Sequence, residues 1–211
     1  MTEGELAASP RATIRIGPRS FTLAYPSGQE LNASVLIEPY WSKLWPMARS
    51  LARIVLEDEG LPAEGSALEL GCGLGLGGLA ALARGYHTIF SDLESAALSF
   101  AGYNARLNRL DNFSLCRLDW REPPAELRVP LILGSDISYE DDLLDPLAAL
   151  VQRVLQPGGL CLWTDGDRTP SLRIYEALRD HELYCDAEPV VEQLDDETQF
   201  TGTLYRIRHN T

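Results

Sequence analysis

The chain has 211 residues, 45% of them hydrophobic, enough for one substantial domain that buries roughly 70% of its unfolded surface and too few for a second of similar size. Eighteen lysines and arginines stand against 31 aspartates and glutamates, a formal charge of −13, which argues against general binding to nucleic acid or anionic membrane and suits a basic protein partner or plain solubility. The cysteines Cys72, Cys116, Cys161 and Cys185 form no C-x-x-C pair, the first residues lack a signal-peptide order, and no apolar run reaches a membrane span, so a soluble cytoplasmic protein with reduced thiols is expected.

Residues 1–10 are polar and expected to be loose. Thr13–Ile16 and Phe21–Tyr25 alternate apolar and polar residues around Gly17-Pro18-Arg19-Ser20, the pattern of a short hairpin. It reads as an accessory element, and residues 1–40 are set apart from a main domain over 41–211. From Pro46 the spacing becomes helical, with a stripe of Met47, Leu51, Ile54 and Val55 and with Ser42 as a candidate cap.

The next segment alternates strands and helices. Strands are expected at Ser66–Leu70, Tyr86–Phe90, Phe113–Leu118, Leu131–Gly134 and Leu160–Thr164. Helices are expected at Leu76–Arg84 and Glu94–Leu107, then after a cap at Asp145-Pro146, and again from Thr169-Pro170. Five such units with short links predict a parallel sheet covered on both faces. Two strand-like runs at the end, Leu183–Val191 and Phe200–Ile207, are separated only by the acidic stretch Glu192–Glu197. So short a link joins antiparallel strands. The fold class expected is therefore α/β: a Rossmann-like, doubly wound mixed sheet of seven strands with an antiparallel C-terminal hairpin, plus the small N-terminal hairpin.

The segment Glu69-Leu70-Gly71-Cys72-Gly73-Leu74-Gly75-Leu76-Gly77-Gly78 fits two nucleotide patterns. From Gly73 it satisfies the G-x-G-x-x-G fingerprint of a dinucleotide site. From Glu69 it is an acid followed by Gly71-x-Gly73-x-Gly75, which suits an adenosine cofactor that has no pyrophosphate. Ligands of open α/β sheets bind beyond the carboxyl ends of the strands. Here those ends carry Glu69, Asp92, Asp119 with Trp120, and Ser135 with Asp136. Asp92 is placed to accept both ribose hydroxyls, Asp119 to accept from an adenine amino group, and Trp120 to lie on the adenine ring. Glu69 either faces the ammonium end of the cofactor or only orders the glycine loop.

Together with Leu44-Trp45-Pro46-Met47-Ala48, Ser91-Asp92-Leu93, Asn104 with Asn108, and Gly134-Ser135-Asp136-Ile137-Ser138-Tyr139-Glu140, these residues resemble the seven-strand S-adenosylmethionine-dependent methyltransferases. More narrowly they resemble methyltransferase family 16, the protein-lysine methyltransferases, over residues 40–165. The resemblance implies that Trp45, Gly71, Cys72, Gly73, Asp92, Trp120 and Ser135 line the S-adenosylmethionine site. It also implies that Asp136 and Tyr139 face the acceptor, Asp136 anchoring an ammonium and Tyr139 forming an aromatic wall for a cation. The bland reading of the same pair is that Asp136 caps the next helix and Tyr139 packs beneath it.

Asp136-Ile137-Ser138-Tyr139 lacks the prolines of the Asn/Asp-Pro-Pro-Tyr step used on planar amides and bases, and Ser138 departs from the apolar residue usual in family 16. The alternatives are a methyltransferase for a small-molecule amine and a small NAD-binding oxidoreductase. The latter is opposed by the lack of a Tyr-x-x-x-Lys pair in a chain whose only lysine is Lys43. His87, His181 and His209 form no motif, and no metal-binding spacing is present.

Overall fold

The computed structural model describes residues 1–28, 31, 39–63, 65–166, 171–194 and 197–210. Strands β1 (Arg11–Ile16) and β2 (Arg19–Ala24) form the N-terminal hairpin. The main sheet contains β3 (Ser66–Leu70), β4 (His87–Asp92), β5 (Phe113–Arg117), β6 (Val129–Ser135), β7 (Leu155–Gly166), β8 (Leu183–Gln193) and β9 (Gln199–His209). Its order is β5-β4-β3-β6-β7-β9-β8. The first five strands in that order run parallel, and β9 pairs antiparallel with both β7 and β8. The expected mixed sheet of seven strands with its terminal hairpin is what the chain forms. Strand order reverses between β3 and β6, which puts a crevice at their carboxyl ends.

The central strands β3, β6 and β7 are buried on both faces, and their two-residue period sorts side chains between two cores. Ala67, Leu131, Leu133, Leu160 and Leu162 join the core under α2 (Pro46–Glu57), α3 (Leu76–Ala83) and α4 (Ser95–Leu107). Leu68, Leu70, Ile132, Cys161 and Trp163 join the other, under α5 (Leu144–Val154) and α6 (Ser171–Asp180). By the same alternation Glu69 points toward α3.

Several local expectations are corrected. Residues 3–7 are not loose: Glu3–Ala7 form helix α1, because Thr2 and Glu5 make a reciprocal capping box and Leu6 is buried against Ala24, Leu74 and Phe100. The hairpin's Ile14, Ile16, Phe21 and Leu23 lie in the same core as α2 and α3. Asn104 and Asn108, one turn apart on α4, hold β2 as a neighbouring strand would. The Asn104 Oδ1 accepts from Ala24 N (2.7 Å) and its Nδ2 donates to Ala24 O (3.2 Å), while Asn108 does the same with Thr22 at 2.9 and 2.8 Å.

Ser42 does not cap α2; it lies in a single 3-10 turn and its hydroxyl donates to Pro39 O. Pro46 opens α2 directly after Trp45, its missing N–H costing nothing there. Asp145 does not cap α5 either, since it lies in the first turn of a helix that begins at Leu144, and its carboxylate meets His181 Nε2 at 2.8 Å. The proposed start of α6 at Thr169-Pro170 lies outside the described residues.

Glu192, expected in a loop, belongs to β8 and is 1% exposed. It accepts from Ser50 Oγ (3.0 Å) and Arg53 Nη2 (2.9 Å), with Arg49 Nε 3.6 Å away. A buried carboxylate needs such partners, and here they tie α2 across to the far edge of the sheet.

Candidate active site

The carboxyl ends of β3, β4 and β6 open into a cavity of about 580 Å³. Every residue nominated from the sequence lines it: Trp45, Glu69, Gly71, Cys72, Gly73, Asp92, Asp119, Trp120, Ser135, Asp136 and Tyr139. The turn before α2 supplies further walls in Tyr40, Trp41 and Lys43, which the sequence reading did not nominate.

The glycine turn is shaped by close approaches. Gly71 has φ +57°, and a Cβ there would lie 3.2 Å from Ile137 and 3.3 Å from the Trp120 ring edge. Gly73 has φ +49° with the Trp41 carbonyl 3.0 Å from the same point. Neither position accepts a side chain without strain. Asp92 orders this turn: its Oδ2 accepts from Gly73 N (3.0 Å) and its Oδ1 from Glu94 N (2.9 Å). Each oxygen keeps a second lone pair for a hydroxyl in the cavity. Burial pushes the Asp92 carboxyl above its ordinary value, partly offset by those N–H groups.

Glu69 is 3% exposed, and burial raises its pKa to about 8, with Asp92 adding to the rise. The N–H groups of Gly77 and Gly78, in the first turn of α3, pull the value down without offsetting burial. Its Oε2 has no hydrogen-bond partner among the described residues. This overturns the dinucleotide reading, because a pyrophosphate would need those same helix N-terminal N–H groups and would meet the Glu69 carboxyl there. The later glycines serve packing instead. A Cβ on Gly75 would lie 3.0 Å from both Ala101 and Phe90, and one on Gly78 would enter Phe90 and lie 2.7 Å from Glu69 Oε2.

Asp119 is partly exposed and its Oδ1 accepts from Arg121 N at 2.9 Å. The Cys72 thiol is buried and held well above its usual pKa by burial, then by Glu69 and Asp92, so it stays a neutral wall rather than a nucleophile. Asp136 has φ +54° and is 8% exposed. Its Oδ2 accepts from Met47 N (3.1 Å) and its Oδ1 from Gly166 N (3.3 Å). It therefore caps a helix, but the helix is α2, not the one that follows it in sequence.

Tyr139, 40% exposed, is not packed beneath a helix. Its ring centroid lies 5.4 Å from that of Tyr40, and Tyr40 lies 6.4 Å from Trp45, whose Nε1 donates to Tyr40 O at 3.0 Å. Burial, then Glu140, Asp92 and Tyr40, raise the Tyr139 phenol above its ordinary value, so it is neutral at physiological pH. Three aromatic rings thus stand together in the cavity that Asp136 also lines.

A sheet of this order, with an acid-headed glycine turn at β3 that disfavours a pyrophosphate and an acid at the end of β4, defines the class of seven-strand S-adenosylmethionine-dependent methyltransferases. Solved structures share the fold: an S-adenosylmethionine-dependent methyltransferase from Clostridium acetobutylicum superposes with a TM-score of 0.63 over 78% of this chain and 92% of that one, at 15% identity. Geranyl diphosphate C-methyltransferase from Streptomyces coelicolor, solved with S-adenosyl-L-homocysteine, gives 0.59 over 75% and 78%, also at 15% identity.

The chain belongs to the lysine methyltransferase family, methyltransferase family 16, whose model matches residues 42–174. It is 30% identical over 135 residues to the electron transfer flavoprotein beta subunit lysine methyltransferase of Rattus norvegicus, a match covering 62% of this chain and 49% of the relative. The chain thus spans about half the length of the curated relatives it matches.

S-adenosylmethionine is the cofactor of this class, and the residues present fit it. Asp92 has lone pairs directed at a ribose, Gly71 and Gly73 leave room for its thioether arm, Trp120 and Asp119 stand at the next strand end, and Glu69 lines the same cavity.

Proposed function

We propose that this protein methylates a lysine side chain of a protein substrate. The observation that carries the reading is the group of Tyr40, Trp45 and Tyr139 in the cavity that Asp136 also lines. Aromatic faces backed by a carboxylate favour a cationic alkylamine over a neutral planar base. The family model and the rat relative support a lysine acceptor. A chain with charge −13 whose cavity rim carries Glu94 and Glu140 favours a lysine in a basic segment.

S-adenosylmethionine bound along the glycine turn supplies an electrophilic methyl group. The protein's own part is alignment and exclusion of water. Tyr40, Trp45 and Tyr139 receive the lysine stem and its ammonium. Asp136, fixed by Met47 and Gly166, offers that ammonium a hydrogen bond and fixes its direction. The ammonium then gives up its proton to solvent at the cavity mouth, leaving the amine lone pair pointed inward. Tyr139 stays protonated throughout, so it shapes the channel and takes no proton.

The test is transfer to short peptides in which a single lysine is flanked by arginines, by glutamates, or replaced by arginine. Methylation of the first above the second, with none of the third, supports the reading. Faster transfer to a free small amine than to any peptide would overturn it.

A further inference from the structure

Lys43, the only lysine of the chain, has a place in the site that the reading so far leaves unused. It ends the 3-10 turn Tyr40–Ser42, whose Trp41 carbonyl packs on Gly73. It is 7% exposed and lines the cavity, and no described residue gives its ammonium a hydrogen bond or an ion pair. Its Nζ is not among the sealed unpartnered atoms, so the buried stem carries the ammonium to the cavity, where an anion from outside the chain can meet it.

The charge balance of the cavity points to which anion. Asp92, Glu94, Asp119, Asp136 and Glu140 line it beside the largely neutral Glu69, and among the described lining residues only Lys43 and Arg121 oppose them. Arg121 stands beside Trp120, half exposed, between Asp119 (3.9 Å) and Asp142 (3.4 Å). A carboxylate entering so acidic a cavity is repelled unless a cation meets it. The cofactor carries one such group, on its methionine portion, and the turn that holds Lys43 lies over Gly73, where that portion passes.

We propose that the Lys43 ammonium binds the carboxylate of the methionine moiety of S-adenosylmethionine. This rests on the cofactor assignment and is independent of the acceptor's identity.

The test is calorimetric, with S-adenosylmethionine and its decarboxylated form titrated into the full chain and into Lys43→Met. The wild type prefers the carboxylated ligand by at least tenfold, and Lys43→Met loses that preference while binding the decarboxylated form within about twofold of wild type. Lys43→Arg keeps most of it. If Lys43→Met does not fold, as judged by its melting transition, Lys43→Gln carries the same comparison. A wild type that binds the two ligands equally, or a Lys43→Met variant that keeps the full preference, would overturn the role of Lys43. A wild type that binds neither ligand would overturn the cofactor site itself.

Discussion

The carboxylate of Asp136, at the end of β6, accepts a hydrogen bond at 3.1 Å from the backbone N–H of Met47 in the first turn of α2, 89 residues earlier in the chain. Helix α2 has no cap from its own flank, because Trp45 precedes it and makes no side-chain cap bond. A remote acid supplies what a local Ser or Asp usually does. The same residue turns the chain at φ +54°, a conformation that Asp and Asn adopt more readily than other side chains. One side chain thus fixes the start of the helix that Trp45 precedes and lines the cavity that holds the aromatic rings.

Asp136→Asn is expected to keep the turn and most of the cofactor affinity while lowering turnover by at least tenfold, because an amide offers one acceptor where the carboxylate uses two. Asp136→Ala loses the cap as well, at a cost of about 2 kcal/mol. Titration with S-adenosylhomocysteine alongside a turnover assay separates the two effects. Equal loss of affinity and turnover in Asp136→Asn would place Asp136 in the cofactor site.

Glu69 makes the unliganded protein sensitive to alkali. Its folded-state pKa of about 8 lies above its ordinary 4.5, so the contribution of the neutral carboxyl to stability is complete below about pH 4.5 and is lost as pH rises through 8. Urea midpoints of the wild type should therefore fall between about pH 6 and about pH 9, and those of Glu69→Gln should fall less. If the cofactor's ammonium reaches Glu69, binding near neutral pH also releases up to about one proton from the wild type and fewer from Glu69→Gln. Parallel stability profiles for the two proteins would sink this account of Glu69.

Tyr139 acts through its ring face and keeps its phenolic proton. Tyr139→Phe should hold activity on a protein acceptor within about threefold, since the ring provides the cation contact. Tyr139→Ala should raise the acceptor KM by tenfold or more with little change in cofactor affinity. A large loss in Tyr139→Phe would instead mean that the hydroxyl takes part.

Most of the fold was legible because the alternation of strands and helices and the stop after each strand are local properties. The acids at the strand ends were legible for the same reason: each follows an apolar run, and the sheet brings those ends together. Whether Glu69 ordered a loop or faced a cofactor was not, since both depend on where Gly77 and Gly78 fall once α3 packs on β3. The cap from Asp136 to Met47 and the partners of Glu192 were hidden because they join residues far apart in sequence. Tyr40 and Lys43 escaped notice because the turn before α2 carries no periodicity. Helix α1 left a readable sign in Thr2-x-x-Glu5, passed over because so short a helix depends on burying Leu6.

Asn104 is fully buried and its side chain makes three hydrogen bonds, two to Ala24 and one to the Leu74 carbonyl at 3.0 Å. It thus joins the N-terminal hairpin to the glycine turn. Asn104→Leu leaves those backbone groups unsatisfied and should cost about 3 kcal/mol, read from denaturant unfolding. Limited proteolysis should then cut the hairpin first. A stability change below about 1 kcal/mol would show that the hairpin is held by its apolar face alone.

The central claim is the transfer of a methyl group to lysine, and it is met most directly by incubating the full chain with methyl-labelled S-adenosylmethionine and a protein extract, then hydrolysing the product to amino acids. Label that is released by protease and elutes as N-methylated lysine is the predicted result, reduced at least tenfold in Asp136→Asn. Label that survives protease, or that elutes with any other amino acid, would contradict the account.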